Sequence, residues 1–380
     1  MLFELTEEQK AVRDAARDFT ISVLKPGVIE RDEKQEWPVE QLRQLGELGF
    51  MGMMVRPEYG GGGMDTVSYA LAMEEFSKYD SSCSVAVSVN NSLVCYGIEA
   101  YGNEDQKQKY LVTLATGTKL GAFCLSEPEA GSDATYQSTT AIDNGDHYIL
   151  NGTKNWITNG GHADYYIIIA QTDIEKGHKG INAFIVEREW EGFIVGAKEN
   201  KLGIRASDTH TLMFQDVKIP KENRIGEDGF GFKFAMKVLE GGRIGIASQA
   251  LGIAQGAYEL ALQYSKERKA FGKEISKHQA IQFKLADMAT EIEAARLLVL
   301  KAAWLKDQKM DYALASSMAK FYASEIAMKT TVEAVQVHGG YGFVKEYHVE
   351  RLLRDAKVTQ IYEGTTEIQK IIISRSILKD

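Results

Sequence analysis

All five prolines, Pro26, Pro38, Pro57, Pro128 and Pro220, lie in the first 220 residues of a 380-residue chain. Proline removes a backbone donor and clashes with the preceding turn of a helix, so the stretch after Pro220 is free to form long, uninterrupted helices. The apolar spacing there is helical. Ile281, Leu285, Met288, Ile292, Ala295, Val299, Ala302 and Leu305 recur at steps of four and three, the stripe that a helix buries against other helices. Met318, Phe321, Met328, Val332 and Val335 make a second stripe, interrupted by Glu325. No glycine falls between Gly272 and Gly339, and the group Gly339, Gly340 and Gly342 ends the second arm. A helical hairpin with long arms, packed in a bundle, is predicted.

The first third also reads as helices. Thr6-Glu7-Glu8-Gln9 has capping-box spacing ahead of an amphipathic run to about Val23, and further helical segments are predicted near 39–49, 65–79, 83–101 and 104–116. Between about 119 and 220 the texture changes to short runs rich in β-branched and aromatic residues, such as Tyr148-Ile149-Leu150, Tyr165 to Ile169 and Ala183 to Val186, separated by Asn-Gly and other glycine turns. The expected organisation is a helical domain over 1–119, a β domain over 120–228 and a helical domain over 229–380, which suits a length that allows two or three domains. No internal repeat is visible.

Several classes of function are disfavoured. With 44 basic against 53 acidic residues the net charge is −9, an unfavourable field for nucleic acid. Seven histidines show no paired ligand spacing, and the three cysteines, Cys83, Cys95 and Cys124, form no C-x-x-C. No metal site is expected, and a reducing compartment is: a bacterial cytoplasm or, in a mature eukaryotic form, the mitochondrial matrix. The uncharged stretch Ser81 to Ile98 has the length of a membrane span but contains five serines and two asparagines, which predicts a packed helix in water. Gly60 to Gly63 lacks the Lys-Ser/Thr of a phosphate loop, no G-x-G-x-x-G opens a helix, and no G-x-S-x-G elbow occurs. The glycine run reads as a flexible loop, or as a place where backbone approaches a ligand.

Four polar clusters remain, each with an ordinary alternative. Leu125 to Asp133 offers hydroxyl and backbone donors to a polar ligand, or is a turn. Asn155 to Gly160 sets Trp156 beside Thr158, as a stacking face or as core. Lys266 to Gly272 is a basic turn at a helix end, for an anion or merely for the helix dipole. Ile361 to Glu367 puts Glu363 after apolar residues and beside Gly364, as a catalytic base or as one more solvated acid.

Together these clusters, in their order and spacing, resemble the acyl-CoA dehydrogenase family over essentially the whole chain: Leu125 to Asp133; Trp156-Ile157-Thr158; Arg268 to Gly272 with His278-Gln279; and Gln336 to Gly342 followed by Arg354-Asp355-Ala356 and Ile361 to Thr366. The resemblance implies a multidomain α+β fold with an N-terminal all-α domain, a middle β-barrel and a C-terminal four-helix bundle. It also implies noncovalent FAD between the β domain, the bundle and a neighbouring subunit. By the family motifs, Phe123, Cys124, Leu125, Ser126 and Ser132, with Trp156, Ile157 and Thr158, would line the flavin. Arg268, Phe271 and Gln279, with Gln336, Val337, His338, Gly339 and Gly340 and with Thr365, Thr366 and Glu367, would hold the pyrophosphate and adenosine, some from the partner chain.

Glu363 matches the family's catalytic glutamate, which removes the α-proton as the β-hydrogen leaves as hydride to flavin N5, giving a trans-2-enoyl-CoA. The thioester carbonyl would be polarised by the Glu363 N–H and a ribityl hydroxyl. CoA would run past Ser132, Glu240, Arg243 and Gly364. Some relatives carry the base at the position of Gly242, where glycine cannot serve. Glu129 stands where many members have glycine or asparagine and adds a negative charge to the flavin loop. The stretch Val238 to Ala250 looks most like the short-chain, butyryl-CoA-type members, with short branched chains as the alternative. The absence of arginine from Pro57 to Glu187 disfavours a dicarboxylyl substrate. Electron-transferring flavoprotein is the expected acceptor and a homotetramer, a dimer of dimers, the expected assembly. An acyl-CoA oxidase is a weaker alternative, since those chains carry a large C-terminal extension.

Overall fold

The computed structural model describes residues 4–379. The N-terminal part is helical. Thr6 caps α1 (Glu7–Phe19): its hydroxyl accepts from the Gln9 N–H at 3.2 Å and the Gln9 side chain accepts from the Thr6 N–H at 3.0 Å. After a π turn follow α2 (Val28–Lys34), α3 (Val39–Glu47), α4 (Thr66–Ser77), α5 (Ser81–Ser88), α6 (Tyr96–Tyr101), α7 (Glu104–Gln106) and α8 (Val112–Ala115). From Ser81 to Ile98 every residue except Tyr96 is buried, because α5 and α6 continue through a π stretch, Val89–Cys95, wedged between the other domains. Among the described residues no helix is long and apolar enough to cross a membrane.

Gly60 to Gly63 is not a flexible loop. The N–H groups of Gly62 and Gly63 donate to the carbonyls of Gly52 and Val55, and a Cβ on Gly61 would stand 2.2 Å from the Val55 carbonyl oxygen. Gly61 is there for close backbone packing, and Gly60 and Gly63 for φ of +81° and +60°.

The middle part holds β1 (Gly121–Cys124), β2 (Thr140–Asp143), β3 (His147–Thr158), β4 (Tyr165–Gln171), β5 (Ile181–Glu187), β6 (Phe193–Lys198), β7 (Thr209–Pro220) and β8 (Arg224–Ile225). The order is β6-β7-β3-β2-β4-β5-β8, with β1 parallel to β4. The expected closed barrel is not formed. The outer strands β6 and β8 pair only with β7 and β5, and β2 meets β4 through one register pair, Thr140 opposite Gln171. A two-residue β8 offers too little ladder to close the sheet, so its halves fold over a shared core that includes Tyr148, Leu150, Tyr166, Ile168, Phe184 and Leu212. The opposite face of β4 and β5, Ile167, Ile169, Ile181, Ala183 and Ile185, packs on Val94, Leu111, Phe234 and Val238. A sheet buried on both faces reads as a continuous apolar run rather than an alternation, as Tyr165 to Ala170 does.

The C-terminal part is α9 (Gly231–Glu267), a short hairpin of β9 (Lys269–Ala270) with β10 (Lys273–Glu274), α10 (Gln279–Asp307), α11 (Ala313–His338), α12 (His348–Thr359) and α13 (Thr366–Ile377). The α10 stripe is buried as expected, from Leu285 through Ala302. In α11 the buried face lies to the side of the expected stripe. Ser316, Ala319, Lys320, Ala323, Ala327, Thr330 and Ala334 are buried, while Val332 is 49% exposed. Small residues let α11 lie close against α9, while Met328 and Val335 of the stripe are half-buried at the edge of the bundle core.

Candidate active site

The site is built on the loop between α12 and α13. Thr365 caps α13, its hydroxyl accepting from the Ile368 N–H at 3.3 Å. Glu363 and Gly364 have φ of +51° and +94°, two successive residues in the left-handed region that disfavours a side chain such as glutamate's. Surrounding bonds hold them there. The Gly364 carbonyl accepts from Lys320 Nζ at 2.6 Å and Gln369 Nε2 at 2.9 Å. Glu325 Oε1 accepts from Gln360 Nε2 at 2.7 Å and the Thr366 hydroxyl at 3.1 Å, so one carboxylate on α11 pins both ends of the loop. Lys320, Gln369 and Gln360 carried no sequence signal. Glu325 did, as the single acid interrupting the α11 stripe.

The Glu363 carboxyl points inward. Oε2 is buried without a hydrogen-bond partner, and a Cβ on Gly242 of α9 would stand 2.2 Å from it. Burial pushes the group up to about 7, against the opposing charges of Lys320 and Arg243. Arg243 is 6% exposed; its guanidinium reaches Ser317 Oγ at 3.4 Å and its Nε has no partner. Its charge acts on the Glu363 carboxyl from the protein side, whereas Glu240, one turn earlier on α9, pairs with Lys237 at 3.2 Å. Tyr362 donates to Gln249 Oε1 of α9. Among the described residues the Glu363 N–H donates to no protein acceptor. The loop thus presents a carboxyl that changes charge near neutrality beside a free backbone donor, a combination suited to proton abstraction next to a carbonyl.

The middle-domain set meets this loop through one apolar cluster that contains Phe123, Leu93, Phe234, Leu125 and Tyr362. Cys124 is buried within β1. The Asn155 N–H donates to the Ser126 carbonyl at 2.9 Å, tying the Leu125–Ser132 segment to the end of β3. There Ile157 is buried and Thr158 half-buried, while Trp156, at φ +62°, is 62% exposed. Ser132 and Glu129 are exposed, so the charge of Glu129 lies in water.

At another part of the C-terminal domain, Arg268 and the run Val337 to Gly340 line one cavity of about 530 Å³, with Tyr264, Ile275 and Tyr341. His338 stacks on Tyr264 with ring centres 4.3 Å apart, and the Arg268 guanidinium lies 5.6 Å from the centre of the Tyr341 ring. Gly339 and Gly340 open onto free space. Phe271, 95% exposed, and Gln279 and Gln336, also exposed, do not line that cavity. Thr365, Thr366 and Glu367 stand instead at the start of α13, beside the Glu363 loop. Among the described residues no cluster of acidic, histidine or cysteine side chains is placed to hold a metal.

The chain matches the acyl-CoA dehydrogenase N-terminal domain over residues 6–118, the middle domain over 122–217 and the C-terminal domain over 229–378. It is 50% identical over 379 residues, covering all of both chains, to the short-chain specific acyl-CoA dehydrogenase of Clostridium acetobutylicum. The structure of butyryl-CoA dehydrogenase from Megasphaera elsdenii superimposes with a TM-score of 0.98 at 50% identity, covering all of both chains. A chain in a structure described as the electron transferring flavoprotein of Acidaminococcus fermentans superimposes with a TM-score of 0.99 at 51% identity, again over all of both chains. With three domain matches in chain order and full-length relatives sharing half of its residues, the chain belongs to the acyl-CoA dehydrogenase family.

Proposed function

We propose that the protein is an FAD-dependent dehydrogenase of short straight-chain acyl-CoA thioesters, butyryl-CoA above all, with Glu363 as the base. The observation that carries the reading is the buried, unpartnered Glu363 carboxyl, held in a left-handed loop and raised to about 7. A carboxyl so placed accepts a proton at physiological pH. The Glu363 N–H polarises the thioester carbonyl, which acidifies the α-carbon that the carboxylate faces.

The residues present fit FAD. The exposed Trp156 indole and the Leu125–Ser132 segment offer a flat face and polar edge for the ring, and the Arg268 and Gly339-Gly340 cavity offers a guanidinium and open backbone for pyrophosphate. Phe123, Cys124, Ile157 and Thr158 back the ring side; Phe271, Gln279, Gln336, Val337, His338, Thr365, Thr366 and Glu367 complete the dinucleotide contacts in the assembled oligomer. FAD held there would supply the oxidant, an acceptor for the substrate's β-hydrogen as hydride. The exposed Ser132 and the α9 residue Glu240 face the CoA arm, with Gly364 where the thioester enters. Arg243 acts from inside, on the charge of Glu363.

A short acyl chain suits the α9 face beside the base. Leu93 Cδ2 stands 2.7 Å from a Cβ position on Gly242, and the Tyr69 and Ser88 hydroxyls stand 2.4 and 2.6 Å from that of Gly245, so little depth is left. The short-chain relatives point the same way. Electrons pass on to an electron-transferring flavoprotein, and the assembly is a homotetramer; the exposed Phe271 and Phe343 on the C-terminal domain suit burial against another subunit. The buried free cysteines suit a reducing compartment.

Purified protein should be yellow, bleach when mixed anaerobically with butyryl-CoA, and lose rate steadily from C4 to C16 thioesters. A colourless protein that binds no FAD, or a rate maximum at long chains, contradicts the proposal.

A further inference from the structure

Lysine is almost never fully buried unless it is paired. Lys320 is 0% exposed, yet its hydrogen bond goes to a neutral carbonyl, that of Gly364, at 2.6 Å. The other fully buried lysine, Lys154, has a carboxylate partner, Glu127, at 2.7 Å. The charges facing Lys320 come from three elements besides its own: Glu363 in the loop, Glu367 at the start of α13 and Arg243 on α9, with Glu325 one turn along α11. Around Glu363 the cations are Lys320 and Arg243, and the tyrosines Tyr69 and Tyr362 are neutral neighbours.

We propose that Lys320 is a positioning residue for the reaction: its ammonium holds the Gly364 carbonyl, which fixes the left-handed Glu363–Gly364 pair, and places a positive charge beside the carboxyl. This rests on Glu363 being the base. Gln369 is the second donor to the same carbonyl but brings no charge, so the two functions separate. Removing Lys320 loses the charge and one bond; removing the Gln369 amide loses its bonds to the Gly364 and Glu363 carbonyls but no charge. Without the lysine charge a buried carboxyl ionises at higher pH, and the charge of Arg243 alone remains to oppose burial.

The test uses the holoenzyme and butyryl-CoA in two assays as a function of pH. One is anaerobic flavin bleaching. The other is wash-in of deuterium at the α-carbon in D₂O, read by mass spectrometry: the α-C–H bond breaks, its electron pair stays on the substrate as enolate, Glu363 takes the proton, and a solvent-derived deuteron is returned. In Lys320→Met the rising limb of both profiles should move up by about one pH unit or more, with a lower plateau, and Lys320→Arg should restore the midpoint. Gln369→Leu should lower the plateau and keep the midpoint. If Lys320→Met does not fold, Lys320→Gln carries the same test. An unshifted midpoint in Lys320→Met, or an equal shift in Lys320→Arg, overturns the role. Glu363→Gln separates the two ideas: wild-type exchange in that variant removes the base itself, whereas its loss together with an unshifted Lys320→Met overturns only the lysine's part.

Discussion

Two glutamates with buried carboxyl oxygens, one in the middle domain and one in the C-terminal domain, are held in opposite ways. Glu127, 2% exposed in the middle domain, has every acceptor used: Oε1 takes Lys154 Nζ at 2.7 Å and the Thr139 N–H at 3.1 Å, and Oε2 takes the Ser138 N–H and hydroxyl, each at 2.6 Å. Burial pushes its carboxyl up, but the Lys154 charge and these bonds outweigh burial and hold it below its usual value. Glu363 meets the opposite arrangement. Its nearest lysine bonds to a carbonyl, its Oε2 has no partner, and burial prevails, raising it to about 7. Burial alone therefore does not make an acid reactive; what matters is where the neighbouring donors are directed.

The largest effect that would sharpen this comparison is on stability. Glu127→Leu or Lys154→Met, each leaving one buried charge without its partner, should lower the unfolding free energy by about 3–5 kcal/mol, with the double variant costing less than the sum. Urea unfolding followed by circular dichroism checks it, and a loss under about 1 kcal/mol in both single variants would show that the clip is not essential. Next comes Gly242→Ala, whose methyl would fall 2.2 Å from Glu363 Oε2. Displacing the proposed base in this way should cut steady-state turnover of butyryl-CoA by roughly 100-fold, and crowding of the buried Leu93 Cδ2, 2.7 Å from the same methyl, should lower the melting temperature of the holoenzyme as well.

A smaller effect follows from linkage. The Glu363 carboxyl rises from 4.5 to about 7 on folding, so between those values the folded state holds a proton that the unfolded state releases. The stability this contributes is present below about pH 4.5 and is lost as pH rises through 7. Relative to wild type, Glu363→Gln should therefore gain roughly 1–3 kcal/mol between pH 5 and pH 8. Denaturant midpoints at the two pH values measure it, and a gain of the opposite sign would contradict the burial of the acid. Smallest of all, Lys34→Ala removes a solvent-exposed pair with Glu30 and should leave the melting temperature unchanged.

Much of the frame was legible because it depends on local signals. The proline-free C-terminus, the Thr6–Gln9 capping box and the stripe from Leu285 to Ala302 all report on residues within a turn or two of each other. The Glu363-Gly364 pair and Trp156 were also visible, since a motif is local. What escaped depends on contacts far apart in the chain. Lys320 reaches Gly364 across 44 residues, and Glu325 reaches Gln360 and Thr366 across 35 and 41. The open sheet turns on the short β8, whose two residues carry no alternation to read. In α11 the most deeply buried face lies beside the apolar stripe, because close packing against α9 selects alanine and serine over the bulkier Met318 and Val332, while Met328 and Val335 reach the core's edge. Gly61 is the exception in distance: the chain that crowds it is a neighbouring turn, Val55, whose approach no pattern announces.

The central claim is that Glu363 is the proton acceptor for an acyl-CoA thioester in an FAD-loaded site. Anaerobic stopped-flow mixing of butyryl-CoA with wild-type protein and with Glu363→Gln, at matched FAD content, tests it most directly. The wild type should bleach rapidly and the variant should keep a bound flavin whose reduction is slower by about three to four orders of magnitude; bleaching of the variant near the wild-type rate would contradict the role of Glu363.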